Sequence, residues 1–238
     1  MNGLEGVTSS RCARLAFGLE NIDQLFPGFA LGDFGVLYGL PACLSLSLLL
    51  CVRCQFPAEQ GGLGSPAMFV DGGNTFDLYG ASYIAQRFGL DPKSVLERIF
   101  VSRTFTAYQL ASLILDKLEP AVEKLGSKLV VVSDASGLYL DRDVPKTEAM
   151  DVFNKLTIFL SKFAAEKEVV VVATNFARRS TQRAMFLESA LLGRANVVVK
   201  VSDPYRVLRF TLEKHPTYRL GTAELPSEGV TLREFMEA

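Results

Sequence analysis

Gly39, Ser45, Asp71, Ser133 and Asp134 come closest in this sequence to phosphate chemistry, by residue type and by spacing. The stretch Gly39-Leu40-Pro41-Ala42-Cys43-Leu44-Ser45-Leu46 follows a short apolar run, Phe34–Tyr38, and leads into a second apolar segment. That is the setting in which a glycine turn and a helix N-terminus cradle phosphates. A working cradle needs a second glycine that lets the backbone wrap the phosphates, a lysine for the β- and γ-phosphates, and a Ser or Thr hydroxyl for magnesium. Those three places hold Leu44, Ser45 and Leu46, so the setting is present and its chemistry is missing. Leu44, Leu46, Leu48 and Leu49 make the helix start apolar, which favours a collapsed site over a wet one. Helix amides bind anions without a lysine, and nucleotide binding without hydrolysis is therefore the alternative reading.

Three further groups have a chemical and a plainer reading. Arg178, Arg179 and Arg183 lie within Phe176–Arg183, enough for a few sequence-independent phosphate contacts or for a solvated basic loop before a helix. Cys51 and Cys54 have ligand-like spacing, but no second Cys-x-x-Cys and only one histidine, His215, accompany them. Buried thiols acting as small hydrophobes are expected there, and no metal site. His215, in Lys214-His215-Pro216, reads as a turn residue, and a lone histidine supports no Ser-His-Asp arrangement.

These residues need elements to position them. Runs rich in Val, Ile and Phe predict strands at Phe34–Tyr38, Ala67–Asp71, Ile99–Ser102, Leu129–Ser133, Val169–Thr174 and Val197–Val201. Helical patterns alternate with them at Cys43–Gln55, Thr75–Phe88, Ala107–Leu125 and Lys146–Lys167, where Phe153, Leu156, Leu160 and Phe163 share one face. The alternation predicts an α/β protein with a mostly parallel sheet flanked by helices. Asp71, Ser133 with Asp134, and Thr174 with Asn175 end their strands, which puts polar groups at the carboxyl edge where open α/β sheets bind ligands. Arg206–Glu213 and Tyr218–Ala223 alternate apolar and polar residues and predict an antiparallel extension, with Pro216 in the turn between them. Phe34–Val52 carries no charge and is long enough to consider as a membrane span, but Gly35, Gly39 and Pro41 break it where a helix would have to continue. No repeat or long linker divides the chain, which reads as a short N-terminal segment, residues 1–16, and a single core domain, residues 17–238.

The chain has 238 residues, 49% of them hydrophobic, which suits a globular core and argues against disorder. With 25 Lys and Arg against 26 Asp and Glu, its net charge of -1 gives no global field toward nucleic acid or an acidic membrane. Four cysteines without a secreted-domain pattern, and an N-terminus without a basic, apolar leader, point to a reducing, cytoplasmic setting.

Several stretches, in order, resemble one family. Phe17-Gly18-Leu19-Glu20-Asn21-Ile22-Asp23-Gln24-Leu25-Phe26, followed by Gly28 and Gly32, is similar to its entry segment. Phe69-Val70-Asp71-Gly72-Gly73-Asn74-Thr75-Phe76 is similar to its Asp-Thr-Glu segment. Ile84 to Pro92, Val95-Leu96, Ile99 to Arg103 and Phe105 follow the pattern closely, as do Lys128–Val132 and Ala173-Thr174-Asn175. The chain thereby resembles the ATPase core of the RecA/RadA recombinases, most closely the archaeal RadA-like branch, over nearly its whole length.

The resemblance implies a RecA-like P-loop fold, and the departures fall where that family performs its reaction. Besides the loop, the glutamate that would polarise water is Gly73, and the Walker B aspartate position is Ser133 with Asp134 one residue late. Asp134 reaches a magnesium position only if the strand end is bulged. The sensor strand ends in Phe176 where the family has Gln. Losing the lysine, the magnesium hydroxyl and the glutamate together removes most of the electrostatic stabilisation of phosphoryl transfer. The expectation is a pseudo-ATPase, with Gly39, Pro41, Leu44, Ser45, Leu46, Asp71, Gly73, Ser133 and Asp134 as a relic nucleotide site and no cofactor. It would assist recombination or repair through a recombinase, a repair factor or self-association, with weak DNA contacts through Arg178, Arg179 and Arg183. The acidic Asp141-Arg142-Asp143 in the first DNA-loop region weakens that contact, and residues 1–16 leave no room for the family's helical lobe or its polymerisation motif. A KaiC-like ATP-binding regulator and a scaffold unrelated to DNA are the alternatives.

Overall fold

Valine-rich runs, and the glycines and prolines that end them, set an element order that the computed structural model describes over residues 13–176, 181–204 and 207–224. A small ribbon comes first, β1 (Arg14–Leu15) antiparallel to β2 (Phe29–Ala30), with α1 (Glu20–Leu25) between them. β3 (Phe34–Gly39) then runs into α2 (Ala42–Arg53), and β4 (Ala67–Asp71) leads to α3 (Leu78–Arg87) and α4 (Pro92–Leu96). β5 (Ile99–Arg103) is followed by α5 (Ala107–Ser112) and α6 (Leu118–Leu125). After these come β6 (Leu129–Ser133), α7 (Lys146–Lys167), β7 (Val170–Phe176), α8 (Gln182–Arg194) and β8 (Val197–Ser202). The hairpin β9 (Arg209–Lys214) and β10 (Gly221–Glu224) completes the set.

The main sheet has eight strands among the described residues, in the order β10-β9-β8-β3-β7-β6-β4-β5. β8, β3, β7, β6, β4 and β5 run parallel, and β9 and β10 add the expected antiparallel extension. The α/β class with a mostly parallel sheet flanked by helices is therefore as the alternation predicted. Because strand side chains alternate faces, Leu37, Val131 and Val172 join one buried cluster and Val36, Val132 and Val171 the other. α2, α3 and α4 cover the first face, and α5, α6, α7 and α8 the second. The uncharged stretch resolves into strand, turn and helix, and no helix among the described residues is long and apolar enough to cross a membrane.

Several departures from the sequence expectations appear. The helix expected from Thr75 begins at Leu78, because Thr75 and Phe76 are held by the Asp71 carboxylate. The expected Ala107–Leu125 helix carries a π-turn at Leu113–Lys117, just before Pro120, whose missing N–H and bulky ring cannot continue an ordinary α-helical ladder. β1, β2, α1 and α4 are too short to show a period in the sequence. The expected Arg206–Glu213 strand begins at Arg209 among the described residues, while Arg206 itself lies outside them.

The N-terminal ribbon is fastened by aromatic packing and a carboxylate staple. Phe26 lies edge-on to Phe29 at 4.9 Å and Phe17 edge-on to Phe210 at 5.4 Å, all fully buried. Asp23 accepts from the Phe17 and Gly18 amides at 3.0 and 2.9 Å. Burial pushes that carboxyl up, against the opposing pull of the amides and of Arg53. The Arg53 guanidinium donates to the Ala16 and Gln60 carbonyls and lies over the Phe56 and Phe88 rings.

This packing sets an expectation for stability. Phe26→Ala lowers the urea midpoint by an amount equivalent to about 3–5 kcal/mol, the usual cost of removing a fully buried ring. Tyr79→Ala, at a side chain 84% exposed, changes it by less than about 0.5 kcal/mol. Equal midpoints for the two variants would contradict the assignment of the aromatic cluster to the core.

Candidate functional site

The carboxyl edge of β3 is where the relic phosphate loop was expected, and its geometry is decided by close backbone approach. β3 lies between β7 and β8, with Gly39 opposite Phe176 on one side and Val201 on the other. A Cβ on Gly39 would meet the Val201 carbonyl oxygen at 2.3 Å, and the residue's φ of +115° is open to glycine and costly for other residues. The Leu40 amide donates to the same carbonyl at 3.1 Å. Pro41 already has helical dihedrals, φ -54° and ψ -22°, and α2 begins at Ala42. The Cys43 amide donates to the Leu40 carbonyl at 3.0 Å and the Leu44 amide to the Pro41 carbonyl at 2.8 Å.

The segment that would wrap a phosphate is thus already helix. Leu44 and Ser45 are half-buried on its first turns, Leu46 is buried, and Ala42 and Cys43 are fully buried beneath them. Gly39, Pro41, Leu44, Ser45 and Leu46 are brought together by one turn, as expected, but as a closed strand-to-helix corner. The residues present do not fit a nucleoside triphosphate with magnesium. The Cys43 and Leu44 amides are spent on backbone carbonyls, no cation stands at Ser45, and Leu46 offers no hydroxyl.

At the neighbouring strand ends, Asp71, Gly73, Ser133 and Asp134 do meet, joined by Thr75 and Arg103. Asp71 is fully buried and accepts from the Thr75 amide at 2.8 Å, the Thr75 hydroxyl at 3.2 Å and the Phe76 amide at 3.2 Å. Arg103, at the end of β5, donates to the same carboxylate through Nε at 3.2 Å. The Thr75 and Ser133 hydroxyls share a hydrogen bond of 2.5 Å. β6 stops at Ser133, and Asp134 takes a left-handed φ of 51°, with its amide on the Thr174 hydroxyl at 2.9 Å. This local turn sets the Asp134 side chain against Gly73, where a Cβ would come within 2.9 Å of Asp134 Cβ. The space a glutamate at position 73 would need is already filled.

The sensor strand carries its own network. The Ser136 hydroxyl donates to Asn175 Oδ1 at 2.5 Å, and Asn175 Nδ2 donates to Glu188 of α8 at 3.3 Å. Phe176 packs partly buried against the core. Tyr38, at the end of β3, donates to Glu213 at 2.6 Å, and burial together with that carboxylate pushes its phenol well up. Of the basic residues singled out in the sequence, Arg178 and Arg179 lie outside the described residues. Arg183 is half-buried on the first turn of α8 and donates to the Val144 carbonyl at 3.0 Å, while Lys146 donates to Gln182 at 2.6 Å. Arg183 therefore ties α8 to the loop before α7.

The sequence did not single out Thr75, Arg103 or Glu188 as site residues. The first two lie within stretches that carry the family resemblance, but their pairing with Asp71 depends on loop and strand geometry. Burial pushes the Cys43 and Cys54 thiols up to about 12 and raises Cys51 as well, which keeps them protonated and unreactive. No cluster of metal-ligating side chains occurs among the described residues.

A family model described as Rad51 matches residues 9–192. The "DNA repair protein RAD51 homolog" of Solanum lycopersicum is 31% identical over 168 residues, covering 68% of this chain and 49% of its own. "DNA repair protein RAD51 homolog B" of Zea mays is 32% identical with the same coverage, and "DNA repair protein Rad51 homolog" of Drosophila melanogaster is 30% identical, covering 50% of its own length. The chain spans about half the length of the curated relatives it matches.

The packing at the strand ends gives two expected outcomes. Gly73→Glu, which installs the missing carboxylate, destabilises the fold by about 1–3 kcal/mol through overpacking against Asp134 and Thr75. Asp71→Asn destabilises by about 2 kcal/mol, since it weakens charge-assisted bonds to two amides and Arg103 in the absence of any nucleotide. Chemical denaturation measures both, and a neutral result at either position would contradict the structural role given to this edge.

Proposed function

The chain belongs to the Rad51 family, and from that premise we propose that it serves DNA recombination and repair as a pseudo-ATPase, acting through protein contacts rather than nucleotide turnover. The observation that carries the reading is the corner at Gly39, where α2 begins before any phosphate-wrapping loop can form. The side chains agree with it: Leu44, Ser45 and Leu46 stand where a phosphate loop needs glycine, lysine and hydroxyl, and Gly73 stands where a glutamate would polarise water. Without a lysine, a magnesium ligand or a base, the charge that develops in phosphoryl transfer meets no fixed counter-charge.

What remains is a RecA-like body that acts through its surface on partners, in a reducing cytoplasmic setting. A recombinase, another repair factor or a second copy of the chain is the partner class that fits relatives named as DNA repair proteins. DNA contact is secondary and weak, because the net charge is -1 and Asp141 and Asp143 offset Arg142 in the loop before α7. Arg178 and Arg179 carry that contact, while Arg183 is committed to the Val144 carbonyl.

Two measurements test the reading. Phosphate release from ATP with magnesium equals that of a Ser45→Ala variant, and ATP at saturating concentration gives far less thermal stabilisation than the about 2.7 kcal/mol expected of a ligand at a hundredfold its Kd. Turnover that is lost on changing Asp71 or Asp134 would overturn it. In DNA titrations the affinity falls with salt at a logarithmic slope of about -2. Arg178→Ala with Arg179→Ala removes that binding, whereas Arg183→Ala leaves it and lowers stability instead.

A further inference from the structure

We propose that the turn between β9 and β10 is a proton-operated latch on the N-terminal ribbon, with His215 as its titrating part. His215 Nδ1 accepts from the Thr217 amide at 3.0 Å and the Tyr218 amide at 2.9 Å, with the Thr217 hydroxyl at 3.4 Å. A nitrogen that accepts two amide hydrogens carries no proton of its own, so the neutral ring bears its hydrogen on Nε2. Nε2 is shielded from solvent and has no hydrogen-bond partner among the described residues. The ring stands edge-on to Phe26, at the end of α1, at 5.6 Å, and lies 4.5 Å from the Tyr218 ring. Tyr218 in turn lies beneath the Arg14 guanidinium of β1 at 5.2 Å, and Arg14 also donates to the Gly28 carbonyl at 3.3 Å. One imidazole therefore holds its own turn closed and, through Phe26 and Tyr218, holds that turn against the ribbon.

A proton added to Nδ1 would point at two amide hydrogens, and neither bond survives it. The charged groups around the ring do not rescue the cation. Asp33, in the turn after β2, is the favourable one, but its carboxylate already accepts from the Ala30 amide and the Asn196 side chain, each at 2.7 Å. Arg14 is unfavourable, and Lys214, the preceding residue, reaches away to the Gly193 carbonyl at the end of α8. Burial of the ring lowers His215 from its ordinary 6.5, the attraction of Asp33 opposes this, and the repulsion of Arg14 adds to it. A group held lower in the closed state contributes stability that is complete above the open-state value and is lost as pH falls below it. Acidification through 6.5 therefore opens the latch, by up to about tenfold in the opening equilibrium per pH unit between the two values.

His215 is the only histidine in the chain, so its ring signal is read in NMR without ambiguity. The test follows that signal, together with hydrogen exchange of the Thr217 and Tyr218 amides corrected for intrinsic rate, between about pH 7.5 and about pH 5.5. The expected result is a loss of protection at those two amides of up to about tenfold per pH unit, with the Arg14 and Leu15 amide shifts moving at the His215 midpoint and the β6 amides unchanged. In His215→Asn, whose side-chain oxygen can accept from the amide two residues on, protection is retained and no longer depends on pH. Protection in the wild type that is independent of pH would overturn the proposal. An unchanged pH dependence in His215→Asn, or β1 shifts that do not follow the His215 midpoint, would overturn it equally.

Discussion

The Val201 carbonyl lies so close to Gly39 that no side chain fits between them, and the rest of the structure depends on that contact. It fixes where β3 ends and takes the Leu40 amide, so that Pro41 stands at the head of a helix instead of within a loop. α2 is then driven down onto the sheet, buried along nearly its whole length from Ala42 to Arg53. A helix buried in this way gains hydrophobic free energy from each apolar residue, about 1.5–3 kcal/mol for a fully buried Leu or Val, and any loop that lifted its first turn would forfeit part of it. Closure of the corner is therefore supported by the whole of the first core face.

The adjoining strand ends are held by the chain's own polar groups. Asp71 spends its carboxylate on the Thr75 and Phe76 amides and on Arg103, Ser133 bonds to Thr75, and Asp134 fills the space beside Gly73. In water these groups would be solvated individually. Buried, they must be satisfied together, and a set of mutually satisfied bonds fixes one geometry for the ends of β4, β5 and β6. A carboxyl edge cross-linked from within is suited to presenting a fixed surface and poorly suited to closing around a ligand, which agrees with the missing lysine and glutamate.

Much of this was legible in the sequence. The strands at Ala67–Asp71 and Leu129–Ser133 appear where apolar runs end in polar residues, and α2 begins one residue before its expected start. That Leu44, Ser45 and Leu46 stand where a phosphate loop needs glycine, lysine and hydroxyl is legible without a structure. The fate of Asp134 was only half visible. A one-residue offset raised the question of which face it takes, and the answer came from a left-handed turn that Asp tolerates better than most residues and that periodicity cannot reveal. The tie from Arg183 to the Val144 carbonyl was hidden for a similar reason, since that acceptor lies far away in sequence. His215 was read correctly as a turn residue, but its hold on the N-terminal ribbon depends on contacts with Phe26 and Tyr218 that no local pattern encodes.

The central claim is that, at the corner from Gly39 to Leu46, the Leu40, Cys43 and Leu44 amides are held by backbone carbonyls and do not turn to a phosphate. Amide chemical shifts of Leu40 and of Ala42 through Leu46, followed in the full chain while ATP with magnesium is added, read those groups directly. The account predicts that they stay in place at nucleotide concentrations up to about 1 mM, where any association weaker than about 4 kcal/mol leaves most of the protein free. Saturable shifts of Cys43, Leu44, Ser45 and Leu46 with a common midpoint would contradict it.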